Sequence, residues 1–145
     1  MQPGRFTELF FLDDATALAA GHRPCALCRR GDYDALLAVW RDLHPGDRGA
    51  DAIDRRLHLE RLDGGRRRLH PMPAASLPDG AFVVEAGAAW ALRGGELMRW
   101  GPAGYVERRT APASGRAALL TPPSLVALLA SGWSGLVPLL HPTAA

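Results

Sequence analysis

The sequence contains no lysine, and all seventeen of its basic residues are arginine. Together with abundant alanine, glycine and proline, this usage is typical of coding from a GC-rich genome. The number of arginines is therefore weak evidence of function by itself. The formal net charge is only +2, well below the basicity of a dedicated nucleic-acid-binding domain.

The sequence also lacks long apolar runs, export signals and the common catalytic motifs. No apolar run reaches the roughly 18 residues of a transmembrane helix, and MQPGRFTELFFLDD has no signal-peptide order. We therefore expect no membrane partner and a cytoplasmic location. No G-x-S-x-G, P-loop or dinucleotide-binding glycine pattern is present, so a non-catalytic role is favoured over an enzyme.

The N-terminal third of the chain is predicted to be helical. Asp13 is placed to cap a short helix through Ala20, and Gly21 to end it in the left-handed conformation. Asp32 is predicted to cap a second helix, and a third is predicted over 52–62. The second helix carries an apolar stripe with helical spacing, formed by Tyr33, Leu36, Leu37 and Trp40.

After Gly64 and Gly65 the segments shorten and turn signals recur, which is typical of an antiparallel sheet. Pro123 is placed at the first turn of one C-terminal helix. The predicted fold class is α+β, with a helical segment at 1–48 and an α+β part at 49–145, packed together as a single domain. The predicted strands cover 81–86, 88–93, 96–100 and 117–121, and 136–142 is a candidate edge strand because Pro138 would be costly in a central one.

The only two cysteines, Cys25 and Cys28, form a Cys-x-x-Cys pair after Pro24. Two thiolates with this spacing can reach one Zn²⁺ ion because the turn between them folds back. A redox pair would place its first cysteine at a helix N-terminus after a strand, whereas this pair follows a helix end. The context favours Zn²⁺, while a redox pair and two inert thiols remain as alternatives.

Tetrahedral zinc needs further ligands, and no second cysteine pair is present. His22 is the first candidate because it lies three residues before Cys25, and His58 on the third helix is the second. A lone histidine is more often a surface or hydrogen-bonded residue than a metal ligand. The metal site predicted from the sequence therefore contains Cys25, Cys28, His22 and His58.

The stretch FFLDDATALAAGHRPCALCRR resembles the second half of a zinc-binding knuckle. The best-known bearer of that knuckle is the methyl-phosphotriester-repair domain of the bacterial adaptive-response protein, whose Cys₄ zinc site lies on DNA. Uncharacterised short bacterial proteins with AGHRPCxxCRR and an LTPPS…HP ending are also similar to this chain. The matching positions are Phe10, Phe11, Ala15, Ala20, Gly21, Arg23, Pro24, Cys25 and Cys28.

The resemblance covers about twenty of the residues and implies a structural zinc near nucleic acid, not a reaction. In the repair domain the methyl-accepting thiolate belongs to the upstream pair, and no cysteine precedes Cys25 here. The repair chemistry therefore does not carry over. Some of the similar short proteins begin further upstream, so we expect the present chain to lack ligands that precede Met1.

Arginines beside the cysteine turn and around the Gly-Gly turn form the candidate nucleic-acid contacts. Charge and exposed backbone N–H groups at such positions can contact phosphates, although a solvated basic surface is the plainer interpretation. Any phosphate binding would fall steeply with salt. The candidate residues are Arg29, Arg30, Arg66, Arg67 and Arg68.

The sequence DRRLHLER supports an alternative function as a small metal-dependent hydrolase or nuclease. Asp54 lies four residues before His58, so both can share a helix face, and an Asp–His pair orients an imidazole for general-base catalysis. His70 is the other candidate partner. The His-Asn-His spacing of metal-finger nucleases is absent, so this remains the second hypothesis.

Overall fold

The computed structural model describes residues 11–131 and 140–144. Four α-helices and eight β-strands are present in these ranges, and they confirm the predicted α+β class. The helices are α1 (Asp14–Ala19), α2 (Arg30–Leu43), α3 (Gly49–Arg61) and α4 (Pro123–Ala130). The strands are β1 (Leu62–Asp63), β2 (Arg66–Arg67), β3 (His70–Pro73), β4 (Phe82–Glu85), β5 (Ala88–Arg93), β6 (Glu96–Gly101), β7 (Gly104–Thr110) and β8 (Arg116–Leu119).

Helix α1 begins and ends as predicted. The Asp13 carboxylate accepts a hydrogen bond from the Thr16 N–H at 2.8 Å, and Gly21 has φ of +82° just after the helix. The second Asp13 oxygen accepts bonds from the Tyr105 hydroxyl at 2.7 Å and the His141 N–H at 2.8 Å. Asp13 therefore links α1 to strand β7 and to the C-terminal segment.

Helices α2 and α3 begin earlier than predicted. Helix α2 begins at Arg30, so Asp32 lies in its first turn and does not cap it. The Asp32 carboxylate instead binds the Arg29 guanidinium, in a position that also suits the helix dipole. Helix α3 begins at Gly49, three residues before the predicted start.

Strands β3 to β8 form one antiparallel sheet in the order β3-β8-β4-β5-β6-β7. The four predicted strands are its four interior members, β4, β5, β6 and β8. The two edge strands, β3 and β7, were not predicted, and most of the candidate edge strand at 136–142 lies outside the described residues. Strand β3 contains Pro71 and Pro73, which only an edge position tolerates, and five of the seven residues of β7 are exposed.

The two faces of the sheet are covered differently. Phe82, Ala91 and Met98 pack against Ala15 and Ala19 of α1. Alternate residues point to the opposite face, where a second cluster forms without a helix. Its buried members are Val83, Trp90, Leu92 and Leu97.

A third apolar cluster joins all four helices. It includes Leu18 of α1, Leu36 and Trp40 of α2, Leu57 of α3 and Leu128 of α4. The cluster thus contains residues from both sides of position 48. The predicted division of the chain into two segments at that position stays a prediction. Within the described ranges, no helix is long and apolar enough to cross a lipid bilayer.

Candidate metal centre and basic surface

The cysteine pair lies in the connection between α1 and α2. The chain leaves α1 at Gly21 and turns over residues 26–28. The Arg29 N–H donates to the Cys25 carbonyl at 2.9 Å, and α2 begins one residue later. The helix thus begins five residues after Cys25, which is not the helix N-terminal position that activates the first thiol of a redox pair.

The Cys25 sulfur is the acceptor at the centre of this turn. The backbone N–H groups of Leu27 and Cys28 both donate to Cys25 Sγ, each at 3.4 Å. The Cys28 N–H and then the Leu27 N–H lower the pKa of the Cys25 thiol, and the nearby Arg23 guanidinium adds a smaller effect. The turn therefore favours the thiolate, which is the form that binds a metal.

Neither cysteine is in a disulfide, and both lie on accessible parts of the turn. Cys25 is partly exposed and Cys28 is exposed. Their donor chemistry and spacing suit Zn²⁺, but they supply two of the four ligands of a tetrahedral site. In the part of the chain that the structure describes, no group of three or more His, Cys, Asp or Glu residues could hold a metal ion.

Three arginines fix the cysteine turn to the helices around it. Arg23 binds the Asp54 carboxylate of α3 at 2.9 and 3.1 Å and lies over the Tyr33 ring of α2. Arg29 binds the carboxylates of Asp14 and Asp32. Arg61 of α3 donates to the Ala20 carbonyl at 2.7 Å. The turn is thereby held against α1, α2 and α3.

Arg29 binds two buried carboxylates at once. Its guanidinium donates to Asp14 at 2.8 and 3.1 Å and to Asp32 at 2.9 Å. Asp14 and Asp32 are 7% and 4% exposed. The Asp14 hydrogen bond is the main cause that raises the pKa of Arg29. The Arg29 charge is therefore compensated inside the protein, in a role that the sequence analysis did not assign to it.

The two histidines predicted as zinc ligands lie in different surroundings. His22 is half-buried and packs on the Phe11 ring, with 5.0 Å between ring centroids. Its burial, and then the Arg61 charge, lower the pKa of His22, which favours the neutral form that binds metals. His58 is exposed on α3. Neither forms a group of three metal donors with the cysteines among the described residues.

The residues of the hydrolase hypothesis are engaged elsewhere. His58 and Asp54 share one open face of α3, next to Asp51 and Arg55, but both Asp54 oxygens bind Arg23. His70 Nε2 lies 2.7 Å from the Glu60 carbonyl oxygen. The hydrogen bonds of the described residues include none that joins His58 to Asp54 or His70.

The basic residues after α3 form a small exposed hairpin. Strands β1 and β2 pair across Gly64 and Gly65, and the Arg66 and Arg67 side chains are exposed without an ion pair among the described residues. Arg68 is also exposed and donates to the Leu59 carbonyl at 3.2 Å. The hairpin starts beside Arg61, so it lies close to the end of α1 from which the cysteine turn departs.

Arg30 lies on the other side of the cysteine turn. It forms an exposed pair with Asp34 at 3.1 Å, one turn further along α2. An exposed ion pair of this kind contributes little to folding stability, and Arg30 can exchange Asp34 for water or another anion. Of the five predicted nucleic-acid contacts, Arg66, Arg67 and Arg68 are thus the ones without an ion pair among the described residues, and Arg68 is held by its bond to a carbonyl. Phe10, one of the positions that match the zinc knuckle, lies outside the described residues.

Comparison with known proteins adds no relative. Neither a family model, nor a curated protein sequence, nor a solved structure matches this chain. The functional inference therefore depends on the residues of the site itself.

Proposed function

We propose that this protein is a small, cytoplasmic, non-catalytic zinc-binding module that associates with nucleic acid or with a nucleic-acid-bound partner. The observation that carries the metal role is the pair of N–H bonds on Cys25 Sγ. Such bonds stabilise a thiolate before any ion arrives, and the exposed Cys28 lies where a second thiolate can join it.

Cys25 and Cys28 would hold Zn²⁺ as a structural ion, and His22 is the nearest histidine along the chain. An ion bound by two thiolates leaves two tetrahedral positions for other donors. When bound, zinc would tie α1 to α2 through the turn that Arg23 and Arg29 already anchor. Part of the metal-binding energy would then appear as folding energy.

The basic hairpin supports the nucleic-acid role. Arg66 and Arg67 present two charges without an ion pair among the described residues, next to the turn that Gly64 and Gly65 form with positive φ. Contacts of this kind bind phosphates without reading sequence. The hydrolase hypothesis has less support because Asp54 and His70 both have other partners.

Elemental analysis of purified protein tests the metal role. We expect about one zinc per chain, lost in Cys25→Ser/Cys28→Ser together with some thermal stability. His44→Ala is the matched control because His44 is a histidine outside the predicted metal site and bonds Ser124, and it should leave the zinc content unchanged. Loss of zinc in His58→Ala would identify His58 as a ligand. A His22→Ala variant that loses zinc would identify His22 as a third ligand. Absence of zinc from protein purified without chelators would contradict the proposal.

Salt-dependent binding to a short DNA duplex tests the nucleic-acid role. Arg66→Gln/Arg67→Gln should weaken binding and lower the slope of log K against log salt by about 2. Arg41→Gln/Arg93→Gln removes the same charge from exposed positions elsewhere and should have a much smaller effect. Equal losses in the two double variants would mean that only net charge matters.

A further inference from the structure

The face of the sheet turned away from α1 contains a cavity that the zinc proposal does not use. Two short segments cover this face, one at 74–80 and one at 111–116. The Ala74 N–H donates to the Gly115 carbonyl at 2.9 Å and joins them. Between these segments and the sheet lies a cavity of about 380 Å³, within the size range of small-molecule sites.

The cavity wall is mainly apolar. Leu77 comes from the first covering segment and Ala111 from the second, while Val83, Leu92 and Leu97 come from the sheet. The three sheet residues are 3–8% exposed. An apolar molecule in this cavity would therefore contact side chains that are already fixed by the sheet.

The cavity wall contains two charged residues, Glu85 and Arg116. Of these two, Arg116 has a charge without a partner among the described residues. The Glu85 carboxylate binds Arg109 at 2.7 Å, and Arg109 lies 4.2 Å from the centroid of the Trp90 ring. Arg116 is exposed and has no ion-pair partner in the described ranges. The cavity thus combines apolar walls with one available guanidinium.

We infer that this cavity binds a small apolar molecule that carries one carboxylate. The carboxylate would pair with Arg116, since a guanidinium binds a carboxylate through two parallel hydrogen bonds. The apolar part would lie against Val83, Leu92 and Leu97. This inference is independent of the proposed zinc and nucleic-acid roles, because no residue of the cavity belongs to the cysteine turn or to the basic hairpin.

Titration of the protein with 2-naphthoate and with its neutral analogue 2-naphthamide tests the inference. Binding of each probe is measured by amide NMR shifts and by calorimetry. We expect 2-naphthoate to bind more tightly, with shifts concentrated at Leu92, Leu97 and Ala117. Arg116→Gln should weaken 2-naphthoate binding about fivefold or more and leave 2-naphthamide binding unchanged. Arg93→Gln, an exposed arginine of β5 outside the cavity wall, is the matched control.

A second variant tests the location without the charge. Ala117→Leu would fill part of the cavity and should weaken both probes, with the fold checked by circular dichroism. Equal binding of the two probes, or an Arg116→Gln variant that binds 2-naphthoate like the wild type, would overturn the carboxylate assignment. No shifts at the cavity up to millimolar probe would overturn the cavity as a binding site.

Discussion

The helical region and the six-stranded sheet use arginine in different ways. In the helical region, arginines join elements that are distant in sequence: Arg23 to Asp54, Arg29 to Asp14, and Arg61 to the Ala20 carbonyl. In the sheet, two ion pairs join the neighbouring strands β6 and β7 and a third joins β7 to β4, all at the surface, with side chains 39–51% exposed. The same residue type is a structural anchor in one region and a surface group in the other.

The difference follows from the small number of large apolar residues available at the cysteine turn. The turn contains Pro24, Cys25 and Cys28, and its one large apolar residue, Leu27, is 81% exposed. Its position is therefore fixed by charge-assisted hydrogen bonds. The sheet has continuous apolar clusters on both faces and needs no such anchors. Removal of an arginine should thus matter much more in the helical region.

The largest expected effect is that of Arg29→Met. It would leave the buried carboxylates of Asp14 and Asp32 without their cation, and we expect a loss of about 3 kcal/mol in the free energy of unfolding. Urea denaturation measures this loss. Arg99→Met is the matched control because Arg99 pairs with Glu107 at the surface, and it should change stability by no more than about 0.5 kcal/mol. Similar losses in the two variants would remove the contrast between the regions.

An intermediate effect, present near neutral pH and lost in acid, is expected for Asp47→Asn. Hydrogen bonds from Arg56, and then from the Trp40 indole N–H, lower the pKa of Asp47 from 3.8 to about 2. A depressed pKa stabilises the fold above the unfolded-state pKa, and this contribution is lost as the pH falls from about 4 towards 2. The stability gap between wild type and Asp47→Asn should therefore be constant near neutral pH and close over that range.

Urea midpoints measured at a series of pH values test this expectation. The matched variant in the sheet is Glu107→Gln, because the Glu107 side chain is 51% exposed. Its difference in stability from the wild type should be small at every pH. An Asp47→Asn gap that persists unchanged down to about pH 2 would show that the Arg56–Asp47 bond is not the source of the difference.

The smallest expected effect lies in the sheet, at the β4–β5 turn. Ala86 has φ of +51°, the only positive φ of a non-glycine residue in the described ranges, and this conformation is unfavourable for a residue with a Cβ. Ala86→Gly should increase the free energy of unfolding by about 0.5 kcal/mol. Gly87→Ala, at φ of +74°, should have the opposite sign. Thermal denaturation of both variants compares them, and a destabilised Ala86→Gly would show that the turn is not strained.

The sequence signal was strongest where the structure is most buried. The segments 81–86, 88–93, 96–100 and 117–121 correspond to the four interior strands, because apolar residues on both faces mark an interior strand. The edge strands escaped prediction because β3 carries two prolines and β7 is largely polar. Their pairing depends on a neighbouring strand that lies elsewhere in the sequence.

For the candidate metal centre, the sequence supplied the cysteine pair but not its surroundings. Arg29 and Asp32 are three residues apart at the start of α2, and this spacing was a signal in the sequence for their ion pair. The Arg29–Asp14 and Arg23–Asp54 contacts span 15 and 31 residues and had no local signal. Hence Arg29 was predicted as a phosphate contact, although the fold gives it two carboxylate partners.

By itself, the sequence determined what depends on neighbouring residues: the Asp13 cap, the glycine that ends α1, the Cys-x-x-Cys turn and the interior strands. The tertiary structure alone decided which charges are compensated and where the cavity lies. Ion pairs and cavities form between segments that are far apart in the chain, and their partners are chosen by how the helices and the sheet pack. That is why Arg29 became an anchor while Arg116 kept an uncompensated charge.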